Sequence, residues 1–419
     1  MPIEHDLAVG KINCCQVCGS TNLQLVVDLG HQAPCDSLLW KHQLDKPEKT
    51  YPLRFLVCED CSLGQIDYAV APEELFFPDY PYRSGITATL VEKLSKTAAS
   101  TLTRFKFPEN TLVMDIGSND GTVLSAFKER GMRVLGVEAT NIAKIANENG
   151  IETLQAFFND QLATKVRKSH GAAGAICATN VFAHIASLGS IMRGVSHLLE
   201  EGGVFVTESH YLLDLLKTVQ YDSIYHEHLR YYTLKSLIVL FDQYNFTVTD
   251  VERIDNYGGS IRVFAVKGTE HPVSAAVRDL LNEEEQAGLY GMEVYREFAT
   301  KLLSARRDLL ALVIQAHAEG KKVVGIGCPG RASTLMNFTG LAPDLVPYIA
   351  EQSTSLKLGL YLPGLHVPII DEKNMFDEQP DYAIMLSWHY ADPIIKKLRE
   401  KGLKSKIIVP LPELTVLED

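Results

Sequence analysis

Long apolar runs are missing from these 419 residues: none approaches the about 20 needed to cross a bilayer, so no membrane-spanning helix is expected. The first stretch, MPIEHDLAVG, lacks the basic and then apolar segments of a secretory signal, and none is expected. Cations are in deficit. The formal net charge of −12 argues against sequence-independent binding to nucleic acid, where Lys and Arg must neutralise phosphates. Low-complexity tracts and short-period repeats are absent as well. Cysteine is scarce after residue 61, with only Cys177 and Cys328 beyond it. A secreted disulfide protein of this size would be stapled along its length. Cysteines crowded at one end read instead as a reduced, cytoplasmic protein with a metal site.

What is present falls into three blocks, as the length leads one to expect. Residues 1–70 alternate short strand-like runs (LQLVVDL, YPLRFLVC) with turns and cysteine pairs. After a helical stretch, ATLVEKLSKTAASTL, strands are expected at 111–117, 133–139, 174–180 and 202–209, with amphipathic helices between them. FTVTDVERI and SIRVFAVK then read as an antiparallel pair. Strand–helix alternation closed by a hairpin predicts a mostly parallel, doubly wound sheet with an antiparallel edge. A charged helical connector over 273–319 leads to a second α/β unit, with strands at 322–327, 345–351, 380–386 and 406–411.

Cys15-Gln-Val-Cys18 and Cys58-Glu-Asp-Cys61 form two CxxC pairs. Zinc takes four tetrahedral donors, and each CxxC turn presents two thiolates on one side of a knuckle. Two such pairs predict a closed structural zinc site. A redox pair would need a single CxxC at a helix start, and that setting is absent. Cys14 adjoins the first pair, and Cys35 reads as a bystander.

VMDIGSNDGTVL (113–124) sets Asp115, Gly117, Ser118, Asn119, Asp120 and Gly121 between a buried strand and a helix. It fits a methyltransferase turn, and a dinucleotide-binding turn looks similar. The acids tilt the choice, because carboxylates repel a pyrophosphate but attract the ammonium and sulfonium of S-adenosylmethionine. Glu138, at the end of the next strand, is placed for ribose hydroxyls of either cofactor.

In an open parallel sheet, ligands sit outside the carboxyl ends of the strands. GAICATN ends there in Asn180, followed by His184, and the next strand delivers Glu208 and His210. IYHEHLRYY (224–232) returns toward the same edge. Tyr225, His226, Glu227 and His228 are four polar, protonatable groups in a row, a poor buried strand and an odd surface one. They read as proton-transfer groups, whereas Tyr231 and Tyr232 read as packing aromatics. Histidine suits a base because its free pKa of about 6.5 lies near working pH.

The order of these motifs, continued by GGSIRVF, GIGCPGRASTLMNFTGL, GLYLPGLHVPI and PDYAIMLSWHY, resembles the nucleotide-sugar C-methyltransferases of deoxysugar biosynthesis across almost the whole chain. The resemblance implies a zinc-binding domain over 1–75 and a central Rossmann-like, class I methyltransferase domain over 76–272 that binds S-adenosylmethionine. It implies a C-terminal Rossmann-like α/β domain over 273–419, with a nucleotide-diphosphate sugar held between the last two. His228 would be the base at the carbon next to a 4-keto group, normally C3. Glu227, Tyr225 and His184 would support it, and Tyr80 or Tyr82 would approach from FPDYPYRSG. Arg331, His226 and Arg262 would meet the substrate, with Arg331 suited to a diphosphate.

Departures from the family pattern lie at Cys328–Ser333, at Glu351-Gln352-Ser353, and at Cys35-Asp36, where Ala-Asn is usual. They leave the class intact and the nucleotide base and sugar open, as is the choice between monomer and dimer. Two other classes fit the residues less fully: an NAD-dependent oxidoreductase or epimerase, and a catalytically silent, zinc-stabilised binding module.

Overall fold

The computed structural model of the chain describes residues 6–75 and 88–418, with backbone alone at 88–90. Its N-terminal part is built on a four-stranded antiparallel sheet. Leu23–Gln32, Tyr51–Cys58 and Gly64–Ile66 are neighbours in sequence. The fourth strand, Arg230–Tyr231, comes from far along the chain and pairs Arg230 with Gln65 and Tyr231 with Gly64. The end of the YHEHLRYY stretch is therefore a strand of the cysteine-bearing unit. A small residue is required opposite it: a Cβ at Gly64 would lie 2.8 Å from the Phe55 ring.

The central unit is a seven-stranded sheet. Leu112–Ile116, Arg133–Glu138, Thr153–Gln155, Ala173–Thr179 and Leu199–His210 run parallel. Ser260–Lys267 and Phe246–Ile254 then form the expected antiparallel edge. Leu112–Ile116 is buried throughout, which is why its sequence is a run rather than an alternation. The crossover helix Asp160–His170 shows how local signals set the ends. The Asn159 side chain accepts from Leu162 N at 2.8 Å, and Gly171, at φ +87°, ends the helix.

Helices Ala275–Gln286 and Glu293–Ala318 lead to a six-stranded sheet. Its strands are Val323–Ile326, Ile349–Glu351, Ile369–Asp371, Tyr382–Met385, Lys406–Val409 and the antiparallel Thr415–Leu417. The chain is thus α/β, as read from its sequence. In the two α/β sheets three short strands escaped that reading: Thr153–Gln155, Ile369–Asp371 and Thr415–Leu417 have three residues each, too few for a period to show. The units share apolar packing. Tyr231 meets Phe55 edge-on at 5.3 Å, and Phe55 meets Phe298 of the long helix at 6.4 Å. No helix among the described residues is long and apolar enough to cross a membrane.

Candidate active site and metal centre

The two knuckles bring Cys15, Cys18, Cys58 and Cys61 together, their sulfurs all within 4.8 Å of one another. Cys15 lies 3.5 Å from Cys61, and Cys18 lies 3.5 Å from Cys58. Four thiolates about 2.3 Å from one zinc form a tetrahedron with edges near these separations, so the donor set fits structural zinc. Cys14 is exposed and outside the group. Cys35 also stands outside it, as expected, and its thiol instead donates to Glu227 Oε1 at 3.4 Å.

At the glycine turn, Gly117 has φ +70° and a Cβ there would lie 2.5 Å from Val181, so the backbone must stay bare. Glu138 accepts from Asn119 N at 3.0 Å through one oxygen and from Thr140 N at 2.8 Å through the other. Asp115 Oδ1 and Ser118 Oγ are buried and have no hydrogen-bond partner among the described residues. Burial, with Glu208 and Glu138 nearby, holds the Asp115 carboxyl well above the usual carboxylate range. Carboxyl groups and orphaned polar atoms gathered in one place fit a cationic cofactor such as S-adenosylmethionine, whose positive charge would favour their ionised form. Asn180 adopts φ +56° as the strand ends, its N–H on Glu208 O at 2.9 Å.

The histidines converge. His184 and His210 flank His228 edge-on, with ring centroids 4.6 and 4.9 Å from it. The Leu229 N–H on Ala183 O, at 3.1 Å, ties the two carrying segments together. Nδ1 of His228 lies 2.9 Å from Ser223 O and Nε2 lies 2.9 Å from the Tyr225 hydroxyl. A carbonyl only accepts, so Nδ1 carries the proton and Nε2 is the basic nitrogen. Burial lowers all three imidazoles: His184 to about 4, His210 to about 3, and His228 well below its ordinary value.

Two expected substrate contacts point elsewhere. His226 alternates away from its neighbours and meets Pro52 O of the cysteine-bearing unit at 3.3 Å. Arg262 is buried in the central sheet, with Nε 2.6 Å from Glu208 and Nη1 2.7 Å from Glu252. Its donors neutralise carboxylates of its own unit. Arg331 does enter the interface, reaching Gln220 Oε1 at 3.3 Å and Tyr257 O at 3.2 Å. Tyr80 and Tyr82 lie outside the described residues.

Sequence reasoning gave no role to Asp222, Trp388 or His389. The Trp388 indole donates to Asp222 Oδ2 at 2.8 Å, joining the C-terminal unit to the turn that leads into Tyr225–His228. Burial first, then Arg331 and His210, lowers His389 to about 2. The signal was SWHY at the carboxyl end of a strand, where ligands bind in such sheets.

The chain matches three family descriptions in order: a zinc binding domain over 15–76, a methyltransferase domain over 90–251, and a C-methyltransferase C-terminal domain over 255–412. C-methyltransferase NovU of Streptomyces niveus is 35% identical over 414 residues, covering 98% of each chain. Among solved structures, magnesium protoporphyrin IX methyltransferase of Synechocystis PCC 6803 with bound S-adenosylhomocysteine is 11% identical. That similarity covers 45% of this chain and 90% of that one, with a TM-score of 0.35. The PH0226 protein of Pyrococcus horikoshii OT3 is 14% identical, over 45% and 96%, with a TM-score of 0.36. The oxidoreductase and the silent binding module find no support in the family matches or in NovU. The chain belongs to the C-methyltransferase family that includes NovU, and it is an S-adenosylmethionine-dependent enzyme with a four-cysteine cluster suited to structural zinc.

Proposed function

We propose that the enzyme methylates the carbon, C3, beside the 4-keto group of a nucleotide-linked hexose, with His228 as the base. The observation that carries this reading is the fixed tautomer of His228: Nδ1 is committed to Ser223 O, which leaves Nε2 to take a proton. The 4-keto group acidifies the neighbouring C–H. His228 Nε2 takes that proton, and the electron pair of the broken bond passes into an enolate. Tyr225, next to the base, and His184 donate to the enolate oxygen. Glu227 orients the stretch through Cys35. S-adenosylmethionine, when bound, supplies the methyl group to the activated carbon. Asp115, Ser118, Asn119, Asp120, Gly121 and Asn180 would line its place, with its ribose on Glu138. Zinc stays structural, since four thiolates leave no open position.

The three domains are proposed to divide at 75/76 and 272/273, with the nucleotide-sugar between the last two and its diphosphate on Arg331. The cytoplasm is the proposed compartment, because clustered cysteines that serve as metal ligands need reducing conditions. Solvent exchange tests the reaction. With S-adenosylhomocysteine and a 4-keto nucleotide-sugar in D₂O, the wild type should wash deuterium into the carbon beside the ketone. His228→Asn should abolish the exchange while keeping its affinity for S-adenosylhomocysteine. Unchanged exchange in the variant removes His228 from the base role.

A further inference from the structure

The C-terminal unit repeats, on the substrate side, the device that holds Glu138 beside the glycine turn. Numbered in chain order, its strands stand 3-2-1-4-5-6 across the sheet. The order reverses at Val323–Ile326, which lies between Ile349–Glu351 and Tyr382–Met385. Ligands of doubly wound sheets bind outside the carboxyl ends at such a reversal. There the chain reads Gly325-Ile326-Gly327-Cys328-Pro329-Gly330 and opens helix Gly330–Thr339, a G-x-G-x-x-G turn between strand and helix. Gly327 has φ +73°, and a Cβ there would lie 2.8 Å from Ser387 Oγ.

Glu351 ends the second strand, as Glu138 does in the central unit. One Glu351 oxygen accepts from Cys328 N at 2.8 Å and the other from Gln352 N at 2.9 Å. Glu138 is held alike, by Asn119 N and Thr140 N. A carboxylate offers about four lone-pair positions, so two backbone donors orient each acid and leave it able to accept from hydroxyls. Glu351 is only half-buried.

We propose that Glu351 binds the pentose of the substrate's nucleoside diphosphate through that sugar's hydroxyls, a deepening that rests on the nucleotide-linked substrate proposed above. The neighbouring residues disfavour a dinucleotide of the NAD type. Asp36 of the cysteine-bearing unit pairs with Lys357 at 3.2 Å, and a Cβ at Gly330 would lie 3.2 Å from Asp36 Oδ2. A carboxylate thus stands at the helix start, where a dinucleotide places its pyrophosphate. The phosphates of this substrate run instead toward Arg331, which reaches Gln220 and Tyr257 beside the histidines. The nucleoside lies at Glu351, the diphosphate near Arg331 and the hexose at His228.

Calorimetry on the full chain with S-adenosylhomocysteine bound tests this with TDP against 3′-deoxy-TDP, and with UDP against 2′,3′-dideoxy-UDP. In the pair that the wild type accepts, loss of the hydroxyls should weaken binding about tenfold, or about 1.4 kcal/mol. The same comparison should differ by less than about twofold in Glu351→Gln. The preferred series tells deoxyribose from ribose. Wild-type binding that ignores the hydroxyls, or discrimination that survives in Glu351→Gln, overturns the assignment. The wild-type comparison needs no variant and stands even if Glu351→Gln misfolds, which its affinity for S-adenosylhomocysteine reveals. Failure of every nucleoside diphosphate to bind, with S-adenosylhomocysteine still bound, sinks the nucleotide-linked substrate itself.

Discussion

The Tyr225 hydroxyl lies 2.9 Å from Nε2 of His228, and the direction of the bond follows from the other ring nitrogen. Nδ1 donates to Ser223 O, so Nε2 accepts and the tyrosine donates. Burial and the nearby Cys35 and Glu227 push the Tyr225 phenol well above its ordinary value, which keeps it protonated and able to donate. The proposed base is therefore masked at rest by the group proposed to meet the enolate oxygen once the sugar binds. Tyr225→Phe removes that donor and leaves the ring. By analogy with lost oxyanion donors, kcat should fall about a hundredfold. Affinity for S-adenosylhomocysteine should be unaltered. Steady-state kinetics with calorimetry check this, and an unchanged kcat reduces Tyr225 to packing.

The buried imidazoles make stability depend on pH, with a sign that a single variant isolates. His226 is lowered to about 4, chiefly by burial, against about 6.5 in an unfolded chain. Between those values the unfolded state binds more protons, so the contribution of His226 to stability rises with pH across the window. Asp115, Asp222 and Glu284 are raised, chiefly by burial, and pull the other way, so the wild-type curve alone decides nothing. His226→Asn does not titrate. Measured against wild type by urea unfolding, it should gain about 1.4 kcal/mol on going from pH 7.5 to 5.5. No relative gain would mean that the folded and unfolded chains protonate His226 alike.

Signals held in neighbouring residues were legible in the sequence. The CxxC pairs, the turn from Asp115 to Gly121 and the long strands of both sheets announce themselves through spacing and periodicity. The direction of each side chain in Tyr225–His228 does not, because the stretch is neither helix nor strand and its fold is set by distant groups. Ser223 O turns His228 inward, while the sheet bearing Pro52 draws His226 out. Arg262 looked like a free cation because Glu252, Glu208 and Thr97, its partners in space, are spread over 155 residues of chain. The contacts of Trp388 with Asp222 and of Cys35 with Glu227 span 166 and 192 residues, beyond any local pattern.

Zinc should control activity without touching substrate. Gln16, inside the first knuckle, donates from its amide side chain to Leu229 O at 3.1 Å, next to His228. Its backbone N–H reaches Gln65 Oε1 at 2.9 Å, in the strand that pairs with Arg230–Tyr231. Collapse of the thiolate cluster therefore unseats the stretch that carries the proposed base. The purified chain should hold one zinc per molecule by elemental analysis. Cys58→Ser or chelation should lower both the unfolding temperature and kcat. A metal-free chain with full activity would end the structural role of the site.

Glu284 should be among the most costly side chains to remove outside the active site. It is fully buried on helix Ala275–Gln286 and reaches across to the start of helix Leu234–Asp242. One oxygen accepts from Leu234 N at 2.5 Å and Tyr211 at 3.0 Å; the other accepts from Lys235 N at 3.2 Å and Tyr290 at 2.9 Å. The first amides of a helix have no partners of their own, and a carboxylate there also meets the positive end of the dipole. Glu284→Ala would strand four donors, those of Leu234 and Tyr211 in buried bonds and those of Lys235 and Tyr290 in half-buried ones, at a cost of roughly 3 kcal/mol or more. Glu284→Gln keeps the shape but turns one acceptor into a donor facing Lys235 N or Tyr290, so its cost should be intermediate. Urea unfolding ranks the three proteins, with affinity for S-adenosylhomocysteine as the control for a local effect. Glu284→Ala within about 0.5 kcal/mol of wild type would show that water replaces the carboxylate, and that this connector helix does not brace the central unit.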